Sequence, residues 1–133
     1  MKILNNSSKE SITMLGLFED IVGGNVEVAN NPLTGELLNE LCVEKVTIAD
    51  NLRIVSNTET SPLRGVNFEG VLANHVGGNA ELLNNTISEP EPVGGPEVSR
   101  KAVTKTLNCV GNVPPPFGKE NTANQELGQC APL

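Results

Sequence analysis

The sequence predicts an all-β fold, a right-handed parallel β-helix (solenoid) of about four to five rungs closed by a disulfide-stapled C-terminal cap. Three observations carry the prediction. First, five segments align: MKILNNS from Met1, VEVANNP from Val26, LRIVSNT from Leu52, AELLNNT from Ala80 and LNCVGNV from Leu107. Their starts are 25, 26, 28 and 27 residues apart, and the sixth residue is always Asn: Asn6, Asn31, Asn57, Asn85 and Asn112. Second, the first and third residues of each segment are apolar and the second is polar, as in a strand with one buried face. Third, two further apolar columns precede the later segments, Val22, Ile48, Val76 and Val103, and before them Leu17, Val43, Val71 and Val98.

Each element follows from these columns. The three apolar columns are short strands, and GGN at Gly23–Asn25 and Gly77–Asn79, with DN at Asp50–Asn51, supply the turns between them. A unit of this length is too short for a propeller blade and lacks the LxxLxL pattern of a leucine-rich horseshoe. Stacking equivalent strands in parallel gives a solenoid, and strand-to-parallel-strand crossovers are almost always right-handed. Stacked Asn side chains can bond along the axis, each amide donating to its neighbour one rung away. Asn also tolerates the left-handed backbone that a sharp corner needs. The stretches Leu33–Glu40, Glu59–Glu69 and Ile87–Glu97 are expected to be inserted surface loops.

Composition narrows the function classes. Valine, leucine and isoleucine dominate the apolar residues, while only Phe18, Phe68 and Phe117 are aromatic, which suits thin layers better than a wide globule. A net charge of −7 disfavours nucleic acid and anionic membrane surfaces, both of which require clustered Lys and Arg. No apolar stretch reaches the length of a membrane span. The opening MKILNNSSKE has Lys2 and Lys9 but no sustained apolar run, so it does not read as a signal peptide. Cys42, Cys109 and Cys130 form no CxxC pair and no zinc spacing.

The chain divides into rungs over 1–113 and a cap tail over 114–133, within a single domain. Pro114–Pro116 cannot donate ladder hydrogen bonds, so strand pairing is expected to stop there, with Phe117 folding over the last layer. Cys109 holds an inward ladder position and Cys130 lies near the tail's end, so a bond between them would pin the cap. The segment LNCVGNVPPP followed by GQC resembles the C-terminal region of secreted, largely uncharacterised bacterial β-helix proteins of actinobacterial type, which carry LxCxGNxPxP and then GQC. That resemblance implies export, with a secreted or cell-surface location, and a Cys109–Cys130 disulfide. It implies no catalytic residues.

The sequence offers few groups that could carry chemistry. The outward column Lys2, Glu27, Arg53, Glu81, Asn108 alternates in charge and is expected to pair with itself rather than act as a lyase-like Arg53 flanked by carboxylates. His75 is the only histidine, placed outward and without a triad or metal partner. Glu89, Glu91 and Glu97 are interleaved with prolines and lack the spacing of a calcium loop. The sequence therefore predicts no catalytic residue, metal or cofactor. It describes a non-enzymatic structural or interaction module, with a glycan lyase or hydrolase and a polymer-forming, bactofilin-like β-helix as alternatives. The partners expected are a protein or glycan at the inserted loops, and a second copy or a longer parent chain at the N-terminal rung.

Overall fold

The computed structural model describes residues 1–7, 13–33, 39–60, 67–88 and 95–133. Among them are sixteen strands, numbered β1 to β16 along the chain, and no helix. One face stacks β1 (Lys2–Leu4), β4 (Val26–Ala29), β8 (Leu52–Val55), β12 (Ala80–Leu83) and β15 (Ala102–Val110). The start of β15 also continues a second ladder of β3 (Ile21–Val22), β7 (Thr47–Ile48) and β11 (His75–Val76). A further face stacks β2 (Thr13–Phe18), β6 (Asn39–Glu44), β10 (Asn67–Leu72) and β14 (Glu97–Ser99). The last face stacks β5 (Pro32–Leu33), β9 (Thr58–Thr60) and β13 (Thr86–Ser88), and β16 (Thr122–Gly128) adds to β15. Among the described residues all pairings are parallel, and the chain makes a β-solenoid of about three turns with five strands stacked on its first face.

The register is the one the repeats dictate. Val26, Leu52, Ala80 and Leu107 stand in one column, and Val28, Ile54, Leu82 and Cys109 in another. These side chains are buried, and with Leu17, Val43, Val71 and Val98 they fill a narrow aliphatic interior. At the first layer the inward position is open, since Met1 is 58% exposed and Ile3 packs only partly against the core. Among the strands, Glu59 places a carboxyl in this interior, fully buried and stacked between Leu33 and Ile87.

Three expectations need correcting. The stretches read as inserted loops contain a sheet, because Leu33, Glu59 and Ile87 belong to β5, β9 and β13; the loop centres 34–38, 61–66 and 89–94, with Glu89 and Glu91, lie outside the described residues. The left-handed corner is not at the ladder Asn but one residue earlier, at Asn5, Asn30, Ser56, Asn84 and Gly111. A second such corner recurs at Glu19, Lys45, Ala73, Arg100 and Glu120, residues with no shared chemistry, so the surrounding strands impose the conformation. Finally, pairing does not stop at the prolines. Val113 bridges to Thr86 and Phe117 to Glu97, so the tail coils on as another partial layer and ends in β16. A proline withholds an N–H but still offers its carbonyl, and the residues flanking the run supply the bonds.

Candidate functional site

The five asparagines form one continuous hydrogen-bonded chain. Nδ2 of Asn6 donates to Oδ1 of Asn31 at 3.0 Å, Asn31 to Asn57 at 2.8 Å, Asn57 to Asn85 at 3.0 Å and Asn85 to Asn112 at 2.9 Å. From Asn31 onward each amide spends its second N–H on a backbone carbonyl, those of Ile3, Val28, Ile54 and Leu82 in turn. Asn31, Asn57, Asn85 and Asn112 are buried, so their amides satisfy groups that water cannot reach.

The terminal motif acquires a role residue by residue. Asn112 donates to Oε1 of Gln129 at 3.1 Å, and Gln129 donates back through Nε2 to the Asn112 carbonyl at 2.9 Å, closing the amide chain. Gly128 adopts a φ of 62°, and a Cβ there would collide with the carbonyl of Cys109. Cys130 then meets Cys109 in a disulfide, both fully buried, with Cα atoms 5.2 Å apart. Ala123 and Leu133 pack against the core. Gly–Gln–Cys is thus a turn, a ladder terminus and a staple in consecutive residues. Cys42 is buried and takes no part in a disulfide.

Two further polar columns escaped the sequence reading. Asn25, Asn51 and Asn79 form a ladder at the surface beside the first sheet, Nδ2 of Asn51 donating to Oδ1 of Asn25 at 2.8 Å and the backbone N–H of Asn79 donating to Oδ1 of Asn51 at 2.9 Å. The signal was present, because each stands one residue before the first ladder position, but turn chemistry alone accounted for it. At the other corner, Asn74 donates to the carbonyl of Val43 and Asn121 to that of Val98. Between them in the same column stands Lys101, 1% exposed, whose ammonium nitrogen donates to the carbonyl of Val71. Burial holds the Lys101 amine well below the ordinary lysine value, opposed in part by Cys42 and Glu97.

A surface concavity of about 600 Å³ runs between the surface Asn ladder and the outward charge column of the first sheet. The charges pair along that column: Lys2 with Glu27 at 3.0 Å, Glu27 with Arg53 at 3.4 Å and Arg53 with Glu81 at 2.9 Å. Lys2 first, and Arg53 after it, hold the Glu27 carboxyl below its usual range. His75 is exposed and lines a shallow hollow with Thr104, Thr122 and Asn124, with no acidic or thiol group in the lining. Among the described residues no cluster of His, Cys, Asp and Glu could hold a metal ion, and no helix could cross a membrane.

The fold and these surfaces define a small parallel β-solenoid whose polar groups chiefly serve its own stack. Comparison with family models, curated proteins and solved structures finds no match for the chain.

Proposed function

We propose that this chain is a non-enzymatic structural or interaction module, a rigid solenoid that presents surfaces rather than performing chemistry. The observation that carries the reading is the Lys2–Glu27–Arg53–Glu81 column: the charged side chains lining the surface concavity pair with one another along the stack. Catalysis on a glycan would need one carboxyl kept protonated as an acid, or a basic group free to abstract a proton. Lys2 and Arg53 pull the Glu27 carboxyl away from the protonated form rather than toward it. The buried disulfide supports a place outside the reducing cytosol, at the cell surface or beyond it. It also closes the C-terminal layer, which weighs against end-to-end filament growth of the bactofilin kind. Incubation with pectin, alginate and other acidic glycans, with and without Ca²⁺, should give no cleavage. Turnover that disappears in Arg53→Ala or Glu81→Ala would replace this reading with that of a glycan enzyme.

A further inference from the structure

The outward face of the first sheet carries two straight columns. One is the charge column, Lys2, Glu27, Arg53, Glu81, in consecutive rungs. The other, two residues along each strand, is aliphatic: Leu4, Ala29, Val55, Leu83 and Val110. Leu4 and Val110 are 37% and 49% exposed, while Ala29 is covered by its neighbours, so the stripe is a low, nearly continuous apolar ridge. Charge side chains remain partly exposed, from 24% at Glu27 to 69% at Lys2. Arg53 makes two bonds within the chain, which leaves most of its five N–H donors available.

From this pattern we infer that the face is a docking surface for a second copy of the same chain, packed sheet to sheet with the solenoid axes antiparallel. A two-fold axis lying along the strand direction keeps each column opposite itself and reverses the order of rungs. Passing between the rungs of Glu27 and Arg53, it sets Lys2 opposite the partner's Glu81 and Glu27 opposite the partner's Arg53, each pair occurring twice. All four charges then meet an opposite charge. An axis through a rung would instead set Glu27 or Arg53 against itself, so the alternation selects one register and rejects the neighbouring one. In the same register Leu4 faces Leu83 and the small Ala29 faces Val55, so the ridges meet without like-sized bulk on the central rungs. Four residues by four rungs is a patch of roughly 13 by 19 Å, which belongs to weak, reversible association rather than an obligate dimer.

Analytical ultracentrifugation tests this directly. The average mass of the wild-type protein should climb from that of one chain toward that of two as its concentration rises toward about 1 mM. Arg53→Glu and Glu27→Arg should each leave a folded monomer, because each places like charges on the two central rungs. Mixed in equal amounts, the two variants should form a heterodimer, since every rung again meets an opposite charge. A role confined to pairing within one chain cannot produce that recovery. Should either variant fold poorly, Lys2→Glu and Glu81→Lys form a second complementary pair on the outer rungs. A wild-type chain that stays monomeric throughout the concentration range overturns the inference. So does a dimer indifferent to these reversals but broken by Ile3→Lys, which would point to the N-terminal edge.

Discussion

Lys101 shows how one residue can satisfy a column's geometry while failing its chemistry. Asn74 and Asn121 bridge the corner with neutral amides, whereas Lys101 delivers an amine to the same kind of carbonyl from full burial. In the unfolded chain that amine keeps its ordinary value of 10.5, and in the fold it sits well below it. Between the two values the unfolded chain holds one proton more at this site. Stability therefore climbs with pH across that interval, is lost as pH falls through it, and levels off below the folded value. Lys101→Asn removes this term, and the new amide can repeat the bonds of Asn74. Urea unfolding compared across pH should show the wild-type curve steeper than the variant's by up to about 1.4 kcal/mol per pH unit. At neutral pH the variant should gain on the order of 1 kcal/mol. Parallel curves would mean that the amine does not titrate between the folded and unfolded states.

At the scale of elements, the asparagine ladder matters most where it is buried. Asn85 accepts from the backbone and side chain of Asn57 and donates to Asn112 and to the carbonyl of Ile54. Truncation strips partners from several groups with no access to water, each worth about 1–3 kcal/mol. Asn85→Ala should therefore cost on the order of 3 kcal/mol or more, while Asn6→Ala, at the exposed end, should cost less than about 1 kcal/mol. Denaturant midpoints measured in one series would show the gradient, and equal losses at both positions would contradict it. The ladder was legible in the sequence because the repeat length puts one Asn in every turn. Its terminus at Gln129 was not legible, because the last layer is shorter than the repeat and breaks the period.

For the molecule as a whole, closure at the C-terminal end sets the stability of the stack. The Cys109–Cys130 bond spans 21 residues and ties the final strand's end to the last full ladder. Constraining a loop of that length should contribute about 3 kcal/mol, so reduction should lower the urea midpoint accordingly. Cys42 is buried outside that bond. In oxidised protein a thiol reagent should find one reactive group, and only after unfolding. Peptide mapping should recover Cys109 joined to Cys130, and a disulfide containing Cys42 would refute the arrangement.

The sequence alone determined the period, the parallel columns and their register, because a side chain must fall inside or outside on every turn and apolar residues record which. It also located the Asn column, the alternating charges and the closing cysteines. The sheet of β5, β9 and β13 was hidden because its inward column mixes Leu33 and Ile87 with Glu59, whereas the equally short β3, β7 and β11 keep an aliphatic residue in every rung. The corners were hidden for a related reason. Lys45, Ala73 and Arg100 take a left-handed backbone that their own chemistry does not favour, held there by strands on both sides. Only the tertiary structure could decide that Pro114–Pro116 interrupt the coil without ending it, since residues distant in sequence supply the bonds that carry the chain past them.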